Sequence, residues 1–452
     1  MTNIIQEDRN LYKQLLKLAL PIMGANLLQM LYNLADAYFL GKLGKDAVSA
    51  PSIAFTLVFF LVVFGTGFSM AGTTLISQSK GKKDQEKIDF YLGQMIFILI
   101  FTSILIMVLG LTFSKPLLRL LQVPESAFEY TYEYVTITFL GIPLSFMVII
   151  LQSSLQGIGN SVTPLYIQLC TVLLNVILDP LLIFGIGPFP AMEVKGAALA
   201  TLFSQGVASI ISFYILVKGK SGLKLRLRNL RPNKEAVTRI VEIGLPASLG
   251  QSLSAFGFTV LQGAVNSFGT AVVAAFGIGN RITNMFSVPA QAFAQATSSL
   301  VGQSLGAKNK KRAVLVVKQA ALSLFVFITI GMGLTFFYGH SFVKFFINDP
   351  EVINHGVSFF RINSISTIIF SLYTVITGAF QGGGDTKPIM LLNIFRLWGL
   401  RVPLAYLLSS TAGWGPIGIW SAIFTSNLIV ASLGFIHLKR GRWLVKIDPD
   451  KI

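Results

Sequence analysis

A chain of 452 residues would fill about three soluble domains of roughly 150 residues each. Its composition excludes that class: 53% of residues are hydrophobic and 12% charged, against about 25% charged in a soluble domain, and mean hydropathy is +0.69. Soluble enzymes, disordered chains and disulfide scaffolds fall away together. The single cysteine, Cys170, lies inside an apolar run, and His340, His355 and His437 are scattered without metal-ligand spacing. The net charge of +17 would suit nucleic acid, but its placement does not.

Twelve apolar segments follow in chain order, at 15–40, 51–77, 92–114, 130–156, 163–186, 195–217, 238–266, 272–303, 313–339, 356–380, 387–409 and 415–437. Crossing a bilayer takes about 20 residues of helix, and continuous rather than alternating apolarity selects helices over barrel strands. The first segment follows Glu7, Asp8 and Arg9 and carries Asn26, Gln29, Asn33 and Asp36, which does not suit a cleaved signal. Basic residues concentrate at the N-terminus, in the tail and in the loops after segments 2, 4, 6, 8 and 10. The positive-inside rule then predicts a multi-pass protein of the plasma (inner) membrane with both termini cytoplasmic. The charge is read as topology, with the lipid bilayer as partner and no nucleic acid. The longest basic link, Lys218–Lys234, is read as cytoplasmic. It divides an amino-terminal six-helix lobe (1–217) and a linker (218–237) from a carboxy-terminal six-helix lobe (238–452).

The halves repeat. Pro21, Gln78, Gly81 and Gln156 each recur 225 residues later, as Pro246, Gln303, Gly306 and Gln381. Gly196–Gln205 (GAALATLFSQ) matches Gly418–Asn427 (GIWSAIFTSN) at a spacing of 222. Six spans per repeat give both halves the same direction in the membrane, hence parallel repeats about an axis along the membrane normal. The expected architecture is all-α, with twelve transmembrane helices in two pseudo-symmetric bundles flanking a central cleft. No nucleophile elbow, zincin pattern or nucleotide fingerprint occurs, so no enzyme activity is expected. Without an energy-coupling domain, pumping must draw on an ion gradient.

Among the 19 acidic residues, only Asp36 and Asp179 lie well inside apolar segments. A carboxylate deep in a bilayer costs roughly 2.5–3.5 kcal/mol on insertion scales, so its default reading is functional. Both should sit roughly 7–11 Å below the outer boundary, at 1.5 Å per residue. Asn175 lies one turn before Asp179 on the same helix face, and Thr201 enters from segment 6 at similar depth. Asp36, Asn175, Asp179 and Thr201 form a hard-oxygen set for a proton or a small cation such as Na⁺. No other cofactor is expected. Two like charges in low dielectric hold a proton between them and release it when solvent arrives.

Candidate cleft-lining residues in the first half are Gln29, Tyr32, Asn33, Gln152, Ser153 and Gln205, with Gln152 and Ser153 nearer the cytoplasm. In the second half they are Gln251, Asn280, Arg281 and Phe286, within a polar-aromatic set that also includes Phe256, Phe276, Met285 and Phe293. Such a wall suits bulky amphipathic ligands; plain helix packing is the alternative for each residue. Arg281 pairs with a carbonyl or lines the cleft; both readings stay open. The second half lacks the acids: Leu261 replaces Asp36, and segment 11 carries Arg396 and Arg401. Pro21, four turns before Asp36, is a candidate hinge.

The motifs LALPIMGANLLQMLYNLADAYFLGKLG, SQSKGKKD, LQGIGN, NVILDPLLIFGIG and GAALATLFSQ resemble the multidrug and toxic compound extrusion (MATE) family over nearly the whole chain. Acids confined to the amino-terminal half resemble its DinF-like branch. The resemblance implies H⁺- or Na⁺-driven export of cationic, often aromatic compounds by alternating access between two lobes. It implies that Asp36, Asn175, Asp179 and Thr201 form the ion site and that Pro21 is a bending proline. A monomer is expected. The competing readings are a flippase of lipid-linked precursors, for which Arg281, Arg396 and Arg401 would be the pyrophosphate candidates, and a passive channel, which needs no titrating pair.

Overall fold

A computed structural model describes residues 2–219 and 221–445; at 2–9, 45–49, 52, 55–62 and 64 only the backbone is described. The described residues contain helices and no strand. Twelve long helices run in order: α1 (Thr2–Gly41), α2 (Lys45–Gly81), α3 (Gln85–Leu120), α4 (Glu125–Gly157), α5 (Val162–Phe184), α6 (Glu193–Lys218), α7 (Lys234–Asn266), α8 (Thr270–Gly306), α9 (Lys310–Phe346), α10 (Pro350–Gly382), α11 (Thr386–Thr411) and α12 (Pro416–Lys439). The twelve apolar segments fall on these twelve helices. Among the described residues, nine are long and apolar enough to cross a membrane. α7 and α8 are equally long, but Gln251, Gln262, Asn280, Arg281, Asn284, Gln291 and Gln295 interrupt their apolar surface.

Several helices outrun their apolar segments. α1 begins at Thr2 and α3 at Gln85, because hydropathy marks the hydrocarbon while hydrogen bonding and caps mark the helix. The repeat is written into those caps. Asp84 accepts a bond from the Lys87 backbone N–H at 3.0 Å, and Asn309, 225 residues on, accepts one from Arg312 at 2.9 Å. The preceding Lys83 and Lys308 both turn left-handed, at φ 62° and 57°. Gly196 and Gly418 allow the same close approach. A Cβ on Gly196 would stand 2.5 Å from the Leu182 carbonyl oxygen, and one on Gly418 2.6 Å from the Leu408 carbonyl carbon. α6 thereby seats on the end of α5, and α12 on the end of α11.

The chain forms two compact units: Leu20–Ser248, and Met1–Ala19 together with Leu249–Ile452. The expected division at 217 and 238 is therefore displaced. The start of α1 belongs with the carboxy-terminal helices and the start of α7 with the amino-terminal ones. Each helix changes unit beside its proline, Pro21 or Pro246. A 40-residue helix spans about 60 Å at 1.5 Å per residue, twice the hydrocarbon thickness, so one helix can serve two packing environments. In the first unit α4 packs against α2, α3 and α6, and α5 against α6; in the second, α10 packs against α8, α9 and α12. The second unit has an aromatic centre: Phe276 stacks on Trp420 at 5.4 Å, and Phe359 meets Trp420 edge-on at 5.0 Å.

The basic link is not free chain. Its 3₁₀ turn, Leu227–Leu230, is strapped to α3. Gln94 Nε2 donates to the Asn229 and Arg231 carbonyls at 2.7 and 2.8 Å, and Gln94 Oε1 accepts from the Asn233 N–H at 2.8 Å. Asp89, 1% exposed, pairs with Arg226 Nε at 3.1 Å and accepts from the Lys224 N–H at 3.1 Å. A Gln94→Leu substitution leaves three backbone groups of the strap unpaired. It should lower stability by about 2–3 kcal/mol and accelerate tryptic cleavage at Arg226, Arg228 and Arg231. Thermal denaturation and a digestion time course measure both; wild-type cleavage kinetics would contradict the strap.

Candidate functional site

The site is assembled by α1, α4, α5 and α6 of the amino-terminal unit. On α1, Tyr32 and Asp36 are one turn apart and share a face. On α5, Asn175 and Asp179 repeat that spacing, and both are completely buried. Asn175 Nδ2 donates to Asp179 Oδ1 at 3.2 Å. The Asp36 and Asp179 carboxyls lie within hydrogen-bonding reach of each other, and Asn175 reaches both. Pro180 has no N–H, so the Val176 carbonyl loses its intrahelical donor beside the acid.

Asp36 Oδ1, Asp179 Oδ2 and Asn175 Oδ1 are buried and accept no hydrogen bond. Neither carboxyl pairs with a lysine or arginine among the described residues. An unsatisfied buried acceptor costs about 1–3 kcal/mol, more if charged. Three buried acceptors served by no donor, beside an Asn175 amide already given to Asp179, are an arrangement that a positive charge would satisfy. A shared proton satisfies it, and so does a small hard cation. Among the described residues no group of three or more His, Cys, Asp or Glu is placed to hold a metal.

Thr201 stands one step removed from the acids: its hydroxyl bonds the Tyr32 hydroxyl at 2.6 Å, and Tyr32 is 6% exposed. Tyr134 on α4, absent from the sequence-derived set, lies within electrostatic reach of both carboxyls. The signal for it was slight: a tyrosine one turn after Tyr130 in an otherwise apolar segment. Gln29 and Asn33 are exposed on α1. Gln29 Oε1 accepts from Gln168 at 3.0 Å, and Gln29 Nε2 donates to Asn33 at 3.4 Å. Gln168 was not anticipated either. Gln152 and Gln205 are half-buried on α4 and α6. Ser153 is buried, and its hydroxyl donates within α4 to the Ile150 carbonyl at 3.1 Å.

In the carboxy-terminal unit, Gln251 and Asn280 are half-buried and Arg281 is exposed. The Phe286 ring lies against Gly331 of α9, and Phe276 and Phe293 are buried, so these rings pack helices. Phe256, 56% exposed, stacks on Trp398 at 5.5 Å, and Met285 is equally exposed. Leu261, the repeat partner of Asp36, is a core residue, 1% exposed. Pro21 lies within a helix that continues unbroken on both sides.

A helical protein of many membrane-spanning lengths, built on a six-helix repeat and carrying in one repeat a carboxylate pair, Asp179 buried and Asp36 half-buried, has the framework of a membrane transporter. The MatE family profile matches residues 21–181 and again 246–407, each match opening on a repeat proline, and the chain belongs to that family of membrane transporters. It is 29% identical over 444 residues to the "Probable multidrug resistance protein YpnP" of Bacillus subtilis, covering 98% of both chains. It is 26% identical over 442 residues to the "Multidrug export protein MepA" of Staphylococcus aureus, covering 97% of this chain and 96% of that one. A crystal structure of MATE in the bent conformation superposes with a TM-score of 0.90 at 25% identity, over 97% of this chain and 98% of that one.

The tie from α1 to α6 is testable. Tyr32→Phe and Thr201→Val should each lower stability by about 1 kcal/mol. The double variant should lose little more than either alone, because both remove one bond. Additive losses in a thermal-denaturation cycle would show that the two hydroxyls act separately.

Proposed function

We propose that this multi-pass membrane transporter is a secondary antiporter that exports small, cationic, amphipathic organic compounds by alternating access in exchange for H⁺ or Na⁺. The observation that carries the coupling is the carboxylate pair, Asp36 and Asp179, which has no basic partner among the described residues and keeps one oxygen of each acid without a donor. The drug-export names of YpnP and MepA support the substrate class, and the cation preference follows from an acidic site. A bound ion offsets one of the pair's two charges; when an organic cation arrives, the acids give up their ion and the outgoing compound is released by the reverse exchange. The linkage is reciprocal, so each ligand weakens the other by the same factor. Asp36 sits four turns beyond Pro21 on α1, so filling or emptying the site can alter the bend of that helix. Thr201 acts through Tyr32 to hold α6 against α1. The protein is placed in the plasma membrane as a monomer, with the basic loops and both termini cytoplasmic.

The test is efflux from proteoliposomes of a fluorescent aromatic cation such as ethidium, with pH and sodium gradients imposed separately. Wild-type efflux should collapse when the coupling gradient is dissipated. Asp36→Asn should still insert and fold but lose coupled efflux, and efflux that persists with both gradients dissipated would overturn the reading. Pro21→Ala should slow transport without unfolding the protein; full transport by that variant would remove the bending helix from the mechanism.

A further inference from the structure

In the carboxy-terminal unit, two guanidinium groups are buried without any counter-charge. Arg396 is 6% exposed and Arg401 3%. Neither pairs with a carboxylate among the described residues. The partners of Arg401 are neutral: Nε donates to Ser426 Oγ at 3.0 Å, and Nη2 to Asn427 Oδ1 at 2.6 Å. Asn427 is held in turn by its donation to Ser366 Oγ at 2.9 Å. Arg396 lies over the Phe370 ring at 4.4 Å, and its Nε has no acceptor. The two charges are close enough to repel.

The backbone brings them together. In an α-helix, residues five apart point about 140° from one another. Phe395–Arg401 is instead wound as a π-helix, whose i→i+5 bond turns position 401 back toward position 396. The repeat adds a second observation. Arg401 lies 222 residues after Asp179, the spacing that relates Gly196 to Gly418. Ser426 and Asn427 stand at the same spacing from Ser204 and Gln205. The corresponding helices of the two repeats thus carry an acid in one and bases in the other.

Leaving one cation unpaired in a membrane interior is costly, and two neighbouring ones more so. We infer that Arg396 and Arg401 form a binding site for one small monovalent anion, a halide or a carboxylate group. A guanidinium fork presents parallel N–H donors to either. The close burial excludes a bulky pyrophosphate on a lipid. The inference does not depend on ion coupling at Asp36, and its test is an equilibrium measurement that involves no transport.

The full-length protein, purified in detergent, is melted in sodium sulfate and then in sodium chloride or sodium acetate at equal sodium concentration. A saturable rise in Tm with chloride or acetate is expected. Arg396→Gln should weaken the apparent affinity by about tenfold or more, the equivalent of one charge-assisted hydrogen bond. It removes no hydrogen bond through Nε, so it should fold. Arg401→Lys, which keeps charge without the fork, should weaken the response less than Arg401→Gln. Stabilisation by acetate alone identifies a carboxylate, as on a transported solute; stabilisation by chloride alone identifies a halide held by the protein. No saturable shift with either anion, or an equal shift in wild type and both Gln variants, overturns the site.

Discussion

Two carboxyl groups near one another, one fully buried and one half-buried, with no basic side chain beside them among the described residues, cannot cheaply both stay charged and unaccompanied. Much of the amino-terminal unit can be understood from that constraint. α5 contributes Asp179 and Asn175 on one face, α1 contributes Asp36, and the oxygens left without donors are those turned toward the shared space. On the strap of the same unit, two buried polar side chains are matched at fixed distances. Gln94 satisfies three backbone groups of the strap, and Asp89 has a guanidinium. Thr136, Ser154 and Ser212 also leave a buried hydroxyl without a partner, but at Asp36 and Asp179 the unmatched atoms belong to acids. That deficit gives the site an affinity for a proton or a small cation that packing alone would never require.

The repeat shows how one architecture supports different chemistry in its two copies. The caps at Asp84 and Asn309, the left-handed Lys83 and Lys308, and the close-packed Gly196 and Gly418 are retained in both. These are positions where helix geometry leaves little choice. The interior side chains are free to diverge. Leu261 is a core residue where the other repeat has Asp36, and α11 buries two arginines while α5 buries an acid. The π-turn of α11 has no equivalent in α5, which is regular throughout. Backbone winding as well as residue identity thus separates the two repeats.

The spans, the repeat and the two intramembrane acids were all legible in the sequence, because each leaves a one-dimensional trace: a long apolar run, a fixed spacing, a charge where none belongs. What was not legible depends on contacts between helices. Thr201 meets Tyr32 and not the acids, which depth along the membrane cannot reveal. Ser153 spends its hydroxyl on its own helix. Phe276 and Phe286 pack among helices, because rotation about a helix axis cannot be read from a segment that is apolar all round. The basic link lies strapped to α3 by Gln94 and Asp89, residues that look like ordinary helix positions until their partners are known. Nor did the division of α1 and α7 between units announce itself, although their prolines mark the place.

Infrared spectroscopy of the carboxyl C=O stretch in the purified protein addresses the shared charge at Asp36 and Asp179 most directly. At neutral pH without sodium, the wild type should show the band of a buried protonated carboxyl, and the Asp36→Asn, Asp179→Asn double variant should lack it. A band that is weakened by sodium would identify that ion as an alternative occupant. A spectrum unchanged by the double substitution would contradict the account, because the pair would then be two bare carboxylates in a place where nothing else offsets their charge.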